Sequence, residues 1–244
     1  TAVEVTANAP DNVYCLTTEG QDFEALFKST NKGVSFTNTN ISVSIGAQAW
    51  WDLVFKVSPT NQNTYYMAGV WMNKSVDAGA TWEGLYGIHA DDHNLFFYGN
   101  DLFLCNDGGL YRSSDNGTNW TFLGNNMQIM QFYRISSYAY DSNFLIGGSQ
   151  DNGTARLKNG AWKHINGGDG MDNVVSSQSS DIVWTSTQNG PLYKSTDGGL
   201  TNNYVNGNIN ETGAWVTPFV MDPANPDIVY AGYNSLWKTT VGGT

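Results

Sequence analysis

Arg112-Ser113-Ser114-Asp115-Asn116-Gly117-Thr118-Asn119-Trp120 decides the fold of this chain, because its pattern, Ser-x-Asp-x-Gly-x-x-Trp, returns along the sequence. Chemically the stretch is a tight hairpin: Asp115 can accept backbone N–H bonds within the turn, Gly117 supplies a positive φ, and Trp120 can plug apolar space beneath. Ser75, Asp77, Gly79 and Trp82 repeat it, and Ser195, Asp197 and Gly199 keep the turn with Asn202 where Trp is expected. Ser29-Thr30-Asn31-Lys32-Gly33-Val34-Ser35-Phe36 is a close variant, and Thr239-Thr240-Val241-Gly242-Gly243 has Val241 in place of Asp. The step from Asp77 to Asp115 is 115−77=38 residues, while that from Asp115 to Asp197 is 197−115=82, about twice as long. A unit whose clasp has decayed therefore lies between, and Arg156-Leu157-Lys158-Asn159-Gly160-Ala161-Trp162 fills it.

Two strand signals precede each clasp. In the last copy Phe219-Val220-Met221 leads through the turn-rich Asp222-Pro223-Ala224-Asn225-Pro226-Asp227 to Ile228-Val229-Tyr230-Ala231-Gly232, then to Leu236-Trp237-Lys238. Each unit thus offers strand A, strand B, strand C, clasp and strand D in about 40 residues, the spacing of a propeller blade. The expected fold is an all-β propeller of four-stranded antiparallel blades, about six of them, in one domain over residues 1–244. Approximate blade bounds are 1–45, 46–87, 88–126, 127–167, 168–212 and 213–244, the last incomplete. The chain opens on a strand A and stops inside a clasp, so the expectation is a piece of a longer protein with further domains.

Composition agrees with that architecture. In 244 residues there are nine Trp, thirteen Tyr and 27 Gly against only 14% charged residues, which favours short strands and tight turns over helices. The formal net charge of −11 excludes nucleic acid and anionic lipid as partners, since both are polyanions. No segment approaches the roughly 18 consecutive apolar residues of a membrane span, so membrane insertion is not expected, and the start lacks the pattern of a signal peptide. Cys15 and Cys105 sit two repeats apart, beyond the reach of a disulfide, and are expected as two buried free thiols.

The clasp pattern resembles the Asp box, or bacterial neuraminidase repeat, of sialidases, sortilin-type receptors, xyloglucan-cleaving endoglucanases and many secreted bacterial proteins. Longer stretches carry the likeness further: Ile88-His89-Ala90-Asp91-Asp92-His93, Asn106-Asp107-Gly108-Gly109-Leu110-Tyr111-Arg112-Ser113, Gln131-Phe132-Tyr133-Arg134, Gly147-Gly148-Ser149-Gln150-Asp151-Asn152-Gly153-Thr154 and Gly167-Gly168-Asp169-Gly170-Met171-Asp172. Together they resemble the sortilin-type or glycosyl-hydrolase-like propellers of secreted Bacteroidetes-type proteins. That resemblance implies an extracellular or cell-surface location, often by type IX secretion, and a carbohydrate-related role.

In a four-stranded blade the clasps mark one face, and the opposite face collects the chemically rich residues. His89, Asp91 and His93 alternate, which on an extended chain points all three the same way and could present a divalent metal site; no cofactor is otherwise required. Asp107, Asp151, Asp169 and Asp172 lie in Asp-Gly and Asp-Asn-Gly turns. In a glycoside hydrolase a carboxylate pair from such loops would act as acid and base or nucleophile, and Asp151 and Asp169 are the candidates. Trp50, Trp51, Phe132, Tyr133, Gln150 and Trp215, with Asp107 and Asp172, are candidate ligand contacts, because aromatic faces stack on sugar rings. Trp82, Trp120 and Trp162 are expected instead as packing plugs between blades.

A sialidase would clamp its substrate carboxylate with three arginines. This chain has three Arg in all, and Arg112 stands where Lys28, Lys74, Lys194 and Lys238 stand in other repeats, so the clamp is missing. The expected function is a glycan- or protein-binding scaffold module. A glycoside hydrolase like the xyloglucan-cleaving enzymes is the rival, and a structural spacer of a large surface protein is the third reading.

Overall fold

The computed structural model describes residues 2–243. Six antiparallel meanders follow one another along the chain. The first joins β1 (Ala2–Thr6), β2 (Ala9–Glu19), β3 (Asp22–Ser29) and β4 (Thr37–Asn38). The second joins β5 (Val54–Val57), β6 (Tyr65–Ala68), β7 (Asn73–Ser75) and β8 (Glu83–Gly84), and the third β9 (Asp92–Tyr98), β10 (Asp101–Asn106), β11 (Gly109–Ser113) and β12 (Thr121–Phe122). The fourth contains β13 (Phe132–Tyr138), β14 (Asp141–Ser149), β15 (Gly153–Lys158) and β16 (Ala161–Asn166), and the fifth β17 (Gly170–Val175), β18 (Val183–Thr187), β19 (Leu192–Ser195) and β20 (Asn203–Tyr204). The sixth has three strands among the described residues, β21 (Phe219–Met221), β22 (Val229–Gly232) and β23 (Leu236–Thr239). The repeated unit is the propeller blade read from the sequence, and no helix occurs among the described residues.

The chain divides into two compact units, residues 1–129 with the first three sheets and residues 130–244 with the last three. In the first unit, one core cluster packs Tyr14, Leu16 and Leu26 against Phe55, Tyr65 and Met67. A second packs Tyr66 and Met72 against Leu95, Leu102 and Leu104. In the second unit Phe144 and Ile146 meet Val175 and Val183, and Trp184 and Leu192 meet Phe219, Val229 and Ala231. Each cluster lies between successive sheets, so the sheets are held face to face by inward side chains of alternating strand positions.

The clasps have one geometry. Ser113 Oγ donates to Asp115 Oδ1 at 2.8 Å and accepts the Gly117 amide at 2.8 Å, while Asp115 Oδ1 accepts the Asn119 amide at 2.8 Å. Ser75, Asp77, Gly79 and Thr81 repeat these bonds, as do Ser195, Asp197, Gly199 and Thr201. In the first sheet Asn31 replaces Asp with the same pattern. Two successive left-handed residues close each turn, Asn116 at φ 60° before Gly117 at 86° and Ala78 at 59° before Gly79 at 91°. Asp115 and Asp197 are pulled down to about 2, chiefly by the backbone amides they accept.

Two expectations, on Trp162 and on the cysteines, are corrected. Trp162 is not a buried plug: it lies on β16, 52% exposed, with its ring stacked on Phe132 at 5.9 Å. In the fifth clasp Ile165 of the preceding sheet lies against Gly199, as Ile41 lies against Gly79 and Leu85 against Gly117, and Asn202, where the Trp is lacking, donates from Nδ2 to the Ile165 carbonyl at 2.7 Å. Cys15 and Cys105 are free, but both are half-buried rather than buried.

Candidate functional site

The titratable groups of the first unit gather where the chain enters β5 and β9. A turn held by the amides of Trp51 and Asp52 on the Gln48 carbonyl, at 2.7 and 2.9 Å, sets Asp52 just ahead of β5. It leaves Trp50 and Trp51 outside, 64% and 65% exposed, with ring centroids 5.9 Å apart and planes tilted by 53°. Trp51 also meets His93 edge to face at 6.0 Å. His93 stands between two carboxylates, with Nε2 2.7 Å from Asp107 Oδ1 and Nδ1 3.6 Å from Asp52 Oδ1.

Asp52 is fully buried, and neither of its oxygens receives a hydrogen bond from an N–H or O–H donor. Burial first, then the neighbouring charge of Asp91, pushes its pKa up to about 6, and His93 opposes the shift. The Asp91 carboxyl lies against Asp52 and is itself raised, again mainly by burial. Asp92, the first residue of β9, is also buried. Its pKa is pushed to about 7 by burial, although Asn106 Nδ2 donates to its Oδ1 at 3.2 Å.

Asn106 organises the loop after β10. Its side chain donates to the His89 carbonyl at 2.8 Å and accepts the amides of Gly108 and Gly109 at 3.1 and 3.2 Å. Gly108 is required there because a Cβ would run into the His89 side chain. This loop carries Asp107 to His93.

The expected alternation of His89, Asp91 and His93 does not form. Asp91 is left-handed at φ 62°, and β9 begins only at Asp92, so the three side chains are not on one extended segment. His89 Nδ1 is 3.0 Å from the Ala90 carbonyl, while Asp91 accepts from Gln48 Nε2 at 3.1 Å. Among the described residues no three His, Cys, Asp or Glu side chains form a cage suited to a metal ion.

The second unit joins Asp151 and Asp169 in a different manner. Asp151 sits at φ 58° in the turn between β14 and β15, and its backbone amide donates to Asp169 Oδ1 at 2.8 Å. Asp169 is nearly buried, and its own amide donates to Gln188 Oε1 at 3.1 Å. The Gln150 amide donates to the Gln131 carbonyl at 2.9 Å, and the Asp172 carboxylate accepts the Asn173 amide at 2.9 Å. Around them Trp215 Nε1 donates to the Tyr133 hydroxyl at 3.2 Å, and Phe132 stacks on Trp162. Gly148 and Gly170 let backbones meet: a Cβ on either would enter the backbone of the adjoining strand.

Arg112 makes a two-pronged contact with Asp101, at 2.9 and 2.6 Å, and Arg156 donates to the Gly198 carbonyl at 2.7 Å. Arg112 thus ties its own hairpin, while Arg156 reaches from β15 to the clasp of the fifth sheet. Sequence reasoning missed Asp52, Asp92, Gln48 and Asn106. The available signal was an Asp immediately after Trp50-Trp51 and a second Asp after Asp91, each at the mouth of an apolar strand.

No protein-family model matches the chain, and no curated protein matches it. Similar solved structures include a GH74 enzyme of Niastella koreensis, at 18% identity and a TM-score of 0.42, covering 100% of this chain and 45% of that one. The GH74 xyloglucanase of Xanthomonas campestris is 15% identical with a TM-score of 0.41, covering 99% and 45%. YCF48 of Cyanidioschyzon merolae is 12% identical with a TM-score of 0.36, covering 97% and 93%. The chain thus spans less than half the length of the two GH74 proteins, and the assignment of the fold rests on the strand pairing described above.

Proposed function

We propose that this chain is an Asp-box propeller module, secreted or cell-surface, that binds a neutral glycan at the Trp50–Trp51 turn. The observation that carries this reading is the exposed, mutually tilted Trp pair, with Trp51 against His93 and, through that ring, the carboxylate of Asp107. Sugar rings offer apolar C–H faces to an indole and hydroxyl donors to carboxylates, so the two kinds of group are complementary to one ligand class. The acidic balance of the chain disfavours polyanionic glycans for the same reason that it disfavours nucleic acid. His93 serves this site by fixing Asp107 on one side and presenting its ring to Trp51 on the other.

A glycan array followed by calorimetry on the best neutral oligosaccharide tests the reading. Trp51→Ala is expected to weaken binding by about tenfold, the loss of one aromatic platform of roughly 1.4 kcal/mol. Trp215→Ala in the second unit should leave that affinity unchanged. Absence of any bound neutral glycan, or binding that is indifferent to Trp51, rejects the proposal.

A further inference from the structure

Two residues before the clasp serine, the third strand of a sheet pairs with the fourth, and in two sheets both partners are aromatic. Tyr111 faces Phe122 in the third sheet with ring centroids 5.1 Å apart, and Tyr193 faces Tyr204 in the fifth at 5.7 Å. The second sheet has Asn73 opposite Gly84 at this place, so neither strand carries a ring there. A hollow of about 580 Å³ opens beside the pair, and both residues line it.

Rings stand on its flanks instead. Trp71, in the turn between β6 and β7, is 58% exposed, and Tyr86, after β8, is 85% exposed; both line the hollow. By register Trp71 corresponds to Gly109 and Tyr86 to Gly124, the two glycines against which the Phe122 ring lies in the third sheet. Ring and glycine have changed places. The walls are tied together: the Trp71 amide donates to the Ile45 carbonyl at 3.0 Å, the Leu85 amide to the Met72 carbonyl at 2.9 Å, and Asn73 Nδ2 to the Ser44 carbonyl at 2.9 Å.

Among the described residues no Asp, Glu, Lys or Arg lines the hollow, so a charged ligand would lose hydration without gaining a counter-charge. Asn73 Nδ2 is engaged by the Ser44 and Trp71 carbonyls, which leaves Asn73 Oδ1 as an acceptor. A sugar, with hydroxyls around its ring, would find too few partners here.

We propose that this hollow binds a neutral aromatic molecule of one or two fused rings that carries a hydrogen-bond donor, a phenol or an indole. The ring lies between Trp71 and Tyr86, and its O–H or N–H donates to Asn73 Oδ1. The volume falls within the range of about 300–1,000 Å³ for small-molecule pockets. The hollow shares no lining residue with the Trp50–Trp51 turn and does not depend on the glycan reading.

The test titrates indole into the isotope-labelled chain, with 1-methylindole, indole-3-acetate and methyl glucoside as comparison probes. Saturable chemical-shift changes are expected at the Trp71 indole N–H, the Asn73 side-chain amide and the backbone amides of Gly84 and Leu85. Tyr86→Ala, at an exposed position, should weaken indole binding by about tenfold, the equivalent of about 1.4 kcal/mol. 1-Methylindole, which lacks the donor, should bind about fivefold more weakly than indole. Gly84→Phe, which sets on β8 the ring that the third sheet carries at Phe122, should abolish binding. If that variant fails to fold, Tyr86→Ala and the comparison of probes on the unaltered chain decide. Undiminished affinity in Tyr86→Ala, equal affinity of 1-methylindole, shifts centred on the Trp50–Trp51 turn or another surface, or no saturable binding up to millimolar indole would each overturn the proposal. Tighter binding of indole-3-acetate or methyl glucoside at the hollow, or its closure by self-association of the chain, would do the same.

Discussion

His93 Nε2 lies 2.7 Å from Asp107 Oδ1, and this contact ties the loop after β10 to the first turn of β9. The same ring faces the buried carboxyl of Asp52, whose pKa it holds down against burial. One imidazole therefore faces two acidic groups, one from the turn ahead of β5 and one from the loop after β10.

Removing that compensation should be costly. His93→Ala is expected to destabilise the first unit by about 1–3 kcal/mol at neutral pH, the range for leaving buried polar partners unmatched. His93→Gln, which keeps a donor toward Asp107, should recover part of the loss. Urea unfolding followed by the Trp fluorescence of the two variants measures both effects, and an unchanged His93→Ala would show that the ring is a bystander.

Stability should fall as the pH rises through the neutral range. Asp52 and Asp92 have folded values of about 6 and about 7, whereas an unfolded Asp titrates near 3.9. From about pH 4 to 7 the folded chain keeps protons that the unfolded chain has released, so folding is favoured at the lower end and loses that advantage upward. Asp92→Asn removes one of the two groups and should flatten the slope. Urea midpoints collected across this window decide it; a native chain that gains stability from pH 5 to 7 would contradict the assignment.

The clasps should govern the acid limb. Asp115 and Asp197, held near about 2, stabilise the fold above the unfolded value of about 3.9, and that contribution disappears as the pH falls through the folded value. Ser113→Ala removes both the donor to Asp115 and the acceptor of the Gly117 amide within a buried hydroxyl site. A loss of about 1–3 kcal/mol is expected from thermal or urea unfolding.

Asp169 is expected to behave as a loop support. Asp169→Asn keeps an oxygen for the Asp151 amide and should unfold within about 0.5 kcal/mol of the native chain, while Asp169→Ala should lose about 1–2 kcal/mol. Running both variants in a polysaccharide hydrolysis screen separates this from catalysis. Any cleavage by the native chain that disappears in Asp169→Asn would assign the carboxylate a chemical role.

The blades were legible because their punctuation is local. A Ser, an Asp and a Gly at fixed spacing close a hairpin through their own backbone, whatever surrounds them, and at Asp115 the expected acceptor of a backbone amide and the left-handed Gly117 are both in place. Positions that depend on neighbours were harder. Trp162 reads like the plugs Trp82 and Trp120, yet it lies on an outer strand against Phe132. Asp91 looked extended between two histidines and proved left-handed, which dissolves the alternation on which a metal site would depend. Asp52 and Asp92 resemble ordinary surface acids in sequence, since burial is a property of the strands that pack over them.

In the second, third and fifth sheets the clasp glycine is walled by an aliphatic side chain of the blade before it, Ile41 at Gly79, Leu85 at Gly117 and Ile165 at Gly199. Repeats in this chain are therefore not independent copies that wear out singly. The fifth clasp, which lacks the Trp, adds a polar tie across the same joint, Asn202 Nδ2 donating to the Ile165 carbonyl, so the seam between two blades is a property that neither blade carries alone.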